Sequence, residues 1–159
     1  MRQYRQLVTA AALVVAGAGA ALAAGPGQAV PIPERARGAE RIVVATVAAT
    51  TARYERNDFG DELIVTRAEL VVEEAIKGAG GPVALEIEGG TVDGITLRVS
   101  DLPTIESGER AVFFLTSGKS GRFKAHLRGQ GILKLDGENR VQGSSLTVDE
   151  IRRLARGNR

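Results

Sequence analysis

The sequence predicts a mainly β domain, a barrel or a sandwich, followed by a short C-terminal helix. Runs of β-branched and aromatic residues alternate with polar ones at the two-residue period of a strand. Turn signals built from Gly, Asp, Asn and Pro separate those runs at short intervals. Near the end, Leu146-Thr147 followed by Glu150 and Ile151 has the pattern of a helix start.

The first residues stand outside that domain. Arg2 and Arg5 make a basic start, Leu7 to Ala20 an apolar run, and Ala21-Leu22-Ala23 a small-x-small cleavage site, so residues 1–23 read as a signal peptide. Cleavage near Ala23 makes the chain exported, secreted or periplasmic. Left uncut, the leader is the one membrane contact the sequence offers, although the run is short and rich in Ala and Gly for a span. Gly27-Gln28-Ala29 is a second place for the cut. Pro31 and Pro33 mark residues 24–40 as an extended N-terminal segment, within which Glu34 to Glu40 is either one helical turn or a loop.

Residues 41–157 read as a single β domain with a C-terminal helix at about 147–156. Arg41 to Thr50 is rich in β-branched residues, and its apolar run from Ile42 to Val47 calls for cover on both faces. Thr51 to Glu62, with its Asn57-Asp58-Phe59-Gly60-Asp61 cluster, reads as a hairpin loop. Leu63 to Lys77 alternates as a long, bent strand. Val83, Leu85 and Ile87 alternate with Ala84, Glu86 and Glu88, and after Gly89-Gly90 a strand from Thr91 to Ser100 carries Ile95, Leu97 and Val99. Arg110 to Thr116 places Phe113 and Phe114 on opposite faces. Arg122 to Arg128, with Phe123, Ala125 and Leu127 inward, and Ile132 to Leu135 complete the strands. Val83, Leu85, Ile95, Leu97, Val112 and Phe114 are the expected core. The helix presents Val148, Ile151, Leu154 and Ala155 on one side, too short a stripe to be stable alone, so it should dock outside the Phe113-Phe114 strand.

Composition narrows the function. The chain has 21 Lys plus Arg and 19 Asp plus Glu; the leader holds two of the arginines and no acid, so cleavage leaves 19 of each and no net charge. A neutral domain has no bulk field to gather nucleic acid or anionic lipid, and neither partner is expected. There is no cysteine, which removes thiol catalysis, thiolate metal sites and disulfides, and leaves stability to the packed core.

No catalytic constellation is recognisable. His126 is the single histidine and lies between Lys124 and Arg128, where solvation is the ordinary outcome. Glu86 and Glu88 share a strand face about 7 Å apart, within the range of glycosidase carboxylates, but a solvent-facing stripe explains them as well. The serines lie in glycine loops without a nucleophile elbow. The acidic spacing around Asn57 to Glu62 does not follow a calcium loop, and no metal or cofactor is expected. What remains is a non-enzymatic binding module, a monomer, with contact residues on loops: Tyr54 and Phe59, and the glycine tip with Gly90, Asp93 and Gly94. Its partner would be an envelope protein or glycan. A polysaccharide hydrolase using Glu86 and Glu88, or a purely structural envelope protein, are the alternatives.

The order AERIVVATV, VVEEAIKG, EIEGGTVDGITLRVSDLPTIESGERAVFFL and LTVDEIRRL resembles a family of small exported bacterial domains of uncharacterised function. That family's pattern is V-x-G-x-V in the first strand, E-x-x-K-G at a strand end, a G-G-x-x-x-G turn, P-x-F-x-x-G-E-x-x-x-x-F-L, and a closing helix. Ala45 stands where the first strand has Gly, and Ile105 replaces the aromatic. The resemblance implies an OB-like β-barrel, closed or partly open, standing alone or beside matrixin-type metalloprotease domains. Tissue inhibitors of metalloproteinases are also OB-like, but they act through an N-terminal cysteine on zinc, which this chain lacks.

Overall fold

A computed structural model of the chain describes residues 29–57 and 59–157. The leader predicted over residues 1–23, with its cleavage near Ala23, lies outside them. Among the described residues no helix is long and apolar enough to cross a membrane.

Two strands of 16 residues each, β1 (Arg41–Arg56) and β2 (Glu62–Lys77), pair antiparallel along their length. The loop expected over Thr51 to Glu62 is therefore much shorter. Thr51 to Arg56 continue β1, and only residues 57–61 turn. The Asn57 side chain accounts for this: its Oδ1 accepts from the Phe59 and Asp61 N–H groups, both at 2.9 Å, and closes an Asx-type turn that lets the strands run up to it.

The remaining strands are β3 (Val83–Glu88), β4 (Gly90–Val92), β5 (Ile95–Leu97), β6 (Arg110–Ser117), β7 (Phe123–Ala125) and β8 (Ile132–Lys134). The main sheet has the order β1-β2-β3-β7-β6-β8, and β6 also pairs with β1 from Arg41 to Thr46. The pairings thus run in a ring, β1-β2-β3-β7-β6 and back to β1. Its closing pair, β3 with β7, is parallel and joins Leu85 to Phe123 and Glu86 to Lys124. β8 is an outer extension on β6.

Side-chain alternation across this ring makes two cores. Inside it lie Val43, Ala45, Val47, Ala68, Leu70, Val83, Leu85, Ile87, Phe113 and Leu115. Outside it, Ile42, Val44, Val112, Phe114 and Leu135 pack against Ile32 and Ala36 of α1 (Ile32–Gly38) and Val148 and Ile151 of α2 (Val148–Arg156). Phe113 and Phe114 do face opposite ways, and both are fully buried. The expected core had the two faces exchanged: Phe113, not Phe114, joins Val83 and Leu85, while Val112 and Phe114 hold the helices.

Ile95 and Leu97 leave the expected core altogether. Asp93 and Gly94 both have positive φ, 50° and 79°, which makes the two-residue turn of a tight hairpin. The run from Thr91 to Ser100 therefore doubles back as β4 and β5, a separate two-stranded sheet, and Ile95 is 60% exposed. Leu127 likewise does not point inward; β7 ends at Ala125, and Leu127 sits at φ 58° ahead of a 3-10 turn over Arg128–Gly131.

The segment expected to be extended before residue 41 contains α1. Pro33 sits in its first turn, where a fixed φ suits a helix start. Arg35 is buried and donates to Val30 O at 2.5 Å and Gln130 O at 2.6 Å, while Val30 N–H donates to Gln130 Oε1 at 2.7 Å. Lys77 Nζ donates to the Ala36 and Ala39 carbonyls at 2.7 and 2.6 Å and so satisfies the carboxyl end of the helix.

The C-terminal helix forms as its start signal predicts. Glu150 N–H donates to Thr147 Oγ1, Thr147 N–H donates to Glu150 Oε2, and Arg152 makes a two-bond contact with Glu74 of β2, both at 2.8 Å. Ile151 is fully buried against the Phe114 face, but Leu154 is 42% exposed and is not part of the docked face. Ile151→Ala should lower the unfolding free energy by about 2–4 kcal/mol in a urea titration, and Leu154→Ala by under about 1 kcal/mol.

Candidate functional site

The ring leaves one face of β2 and β3 without a helix over it, and a cleft of about 340 Å³ opens there. Apolar residues line it: Leu63 and Val65 from β2 on that face, and Ile87, Leu102 and Ala125, which belong to or pack against the inner core. Phe59, at the tip of the β1–β2 turn, overhangs one end and is 91% exposed. Held almost wholly in water by a short, hydrogen-bonded turn, this ring adds nothing to the packed core.

Charges of both signs form the rim. Because β3 and β7 pair in parallel, Glu86 lies beside Lys124, and Glu86 also forms an ion pair with Arg122. Glu88, one pleat further along, meets Arg128 at 3.3 Å. Arg128 is shared with Asp101, whose carboxyl is held below the usual range by the guanidinium hydrogen bond. Glu86 and Glu88 do stand in one cleft, but each is committed to an arginine; they do not face each other across a gap.

The expected contact residues are not brought together. Phe59 is at this cleft. Tyr54 is 40% exposed and lies opposite Ile64 on the other side of the hairpin. Asp93 and Gly94 form the solvent-facing tip of the β4–β5 hairpin. Gly90 lines a different recess, of about 680 Å³, between that hairpin and residues 98–106. Its role there is steric: a Cβ at Gly90 would collide with the Thr66 hydroxyl and come within 3.0 Å of Ala52 Cβ, and its φ is +133°. The Thr66 hydroxyl donates to Gly89 O at 2.6 Å, so the glycine pair lets the β4–β5 hairpin pack directly on the long hairpin.

Arg122, Lys124 and Arg128 were absent from the contact residues expected from sequence. Their signal was the alternation of cations through RFKAHLR. What sequence could not give was the strand they would lie beside. Among the described residues no cluster of His, Asp and Glu is arranged to hold a metal ion.

His126 is not the solvated residue expected. Its ring lies against Gly38 at the end of α1, so closely that any Cβ there would overlap it, and its backbone N–H donates to Phe114 O at 2.8 Å. Burial first, and the Lys77 charge second, pull the His126 pKa below its ordinary value.

No protein-family model matches the sequence, and no curated protein matches it.

Two outcomes follow from these positions. Gly90→Ala should destabilise the chain by about 1–3 kcal/mol in thermal unfolding, whereas Gly94→Ala, with open space around it, should cost only the strain of its positive φ. Because the folded His126 releases its proton more readily than the unfolded one, its contribution is complete above pH about 6.5 and lost as pH falls through the lower folded value. Glu73, Glu74 and Glu150, also shifted down, lose theirs only below about 4.3. Stability should therefore begin to drop as pH falls below about 6.5, before the carboxylates titrate, and His126→Gln should flatten that part of the profile.

Proposed function

We propose that the chain is an exported, non-enzymatic binding module of OB-like build, and that it holds an extended segment of another exported or envelope protein in the cleft beneath Phe59. The OB-like reading is supported by the ring order and its one parallel closure. The β2–β3 face and the loops between first and second and between fourth and fifth ring strands are where such barrels bind. Here those loops supply Phe59 and Arg122.

The observation that carries the reading is the pairing of an almost fully exposed Phe59 with an apolar lining and a rim of both charge signs. A polypeptide offers alternating apolar, cationic and anionic groups to such a rim. A neutral or singly charged glycan chain would leave part of it unmatched. The presence of Glu86 and Glu88 in the cleft is the one observation on the side of polysaccharide hydrolysis.

Affinity capture from envelope and secreted fractions, followed by binding measurements on the captured protein, tests this. Phe59→Ala should weaken binding at least about tenfold, the loss of a central aromatic contact, while leaving the melting temperature unchanged. Binding that survives Phe59→Ala combined with Lys124→Glu would remove the cleft from consideration. Polysaccharide cleavage abolished by Glu88→Gln would instead establish the hydrolase, and a chain that captures nothing would point to a structural role.

A further inference from the structure

The long hairpin outlasts the ring. β6 pairs with β1 only as far as Thr46, and backbone bonds from residues 108 and 109 reach only Val47. Beyond the irregularity at Ala48, the arm from Ala49 to Arg56 has β2 on one edge. Among the described residues nothing pairs with its other edge.

The alternation of the ladder says which groups that edge presents. Asn57 N–H donates to Asp61 O at 2.8 Å, so in this unbroken register the odd residues of β1 turn their backbone groups toward β2. Ile64, opposite Tyr54, uses its carbonyl on the far side, accepting from Gly89 N–H at 2.7 Å. The N–H and C=O groups of Ala52, Tyr54 and Arg56 therefore point outward. Ala49 to Arg56 contain no Pro and no Lys, and the charges they do carry, Arg53, Glu55 and Arg56, are of both signs.

The side chains along this edge match themselves. In an antiparallel pair of two such edges centred on Tyr54, the Tyr54 backbones of the two copies exchange both hydrogen bonds, and Ala52 does the same with Arg56. Arg53 then falls opposite Glu55, and Glu55 opposite Arg53, as the close, non-hydrogen-bonded pairs of the ladder. Arg53 and Glu55 already form an ion pair within one chain, on the outer face. Two copies would combine them into a four-charge cluster of alternating sign. Tyr54, 40% exposed, would lie beside its own symmetry mate on the other face.

We infer that the β1 edge centred on Tyr54 is a self-pairing surface, joining two copies of this chain in a two-fold antiparallel dimer. The monomer expected from sequence is then one partner of a weak equilibrium. A contact this short buries less than a standard interface, so dimerisation belongs at high concentration.

Sedimentation of the full chain across roughly 5 μM to 1 mM tests it. The weight-average mass should rise from one chain toward two. Glu55→Arg, which sets Arg opposite Arg, should abolish the rise, and Arg53→Glu added to Glu55→Arg should restore it. Tyr54→Pro should also abolish it without unfolding the chain, because its N–H is not used by β2. A chain that stays monomeric throughout overturns the inference, as does a dimer indifferent to Glu55→Arg or a charge swap that fails to rescue. So does a monomer that instead takes up a foreign extended peptide along the same edge.

Discussion

Five consecutive buried residues in β6, Ala111 to Leu115, constrain everything around them. In a strand, neighbouring side chains point to opposite faces, so an unbroken apolar run is stable only where both faces are dry. Phe113 and Phe114 make the demand severe, since burying each ring contributes about 2–3 kcal/mol that is lost if its face stays open. The ring answers for one face by wrapping β1, β2, β3 and β7 around Phe113. The two helices answer for the other by closing on Phe114.

The pairing of β1 with β6 follows from this constraint. Ile42 to Val47 form a second strand with few polar interruptions, and it lies directly against Arg110 to Leu115 so that each covers part of the other's need. Past the bulge the same chain changes character: Ala49 to Arg56 are nearly all exposed, with alternating Thr, Arg, Tyr and Glu. Half of β1 is thus core and half is a projecting arm. The arm supplies the turn that carries Phe59 and the edge that carries Tyr54, so both surfaces offered for contact stand outside the part of the molecule that sets stability.

Much of this was legible where local chemistry decides. The capping box of α2, the alternation of β3 and the double-sided burial of β6 are written in adjacent residues. Periodicity, however, gives the alternation of a strand and not its sign, which is why Phe113 and Phe114 were assigned to each other's faces. β4 and β5 are three residues each, too short to show a period at all, and the arm of β1 lacks the apolar half of the pattern by which a strand is recognised. Phe59 could be singled out because an aromatic residue in an Asn-Asp-Gly turn has no packing reason to be there. The meeting of Glu86 with Arg122 and Lys124 could not, because it depends on a parallel pairing between strands that are distant in sequence.

The electrostatics of the cleft suit contact rather than long-range capture. Without the leader the chain carries no net charge. Within the cleft, Arg122 and Arg128 are offset by Glu86, Glu88 and Asp101 at ion-pair distance. Opposite charges that close cancel each other beyond about a Debye length of 8–10 Å, so a partner feels the pattern only once it is nearly seated. In the proposed binding mode, the rim would fix register and reject mismatched charge at that range, while Phe59 and the apolar lining would supply the attraction. On the proposed reading, a neutral domain would in this way discriminate among partners without drawing in every polyanion it meets.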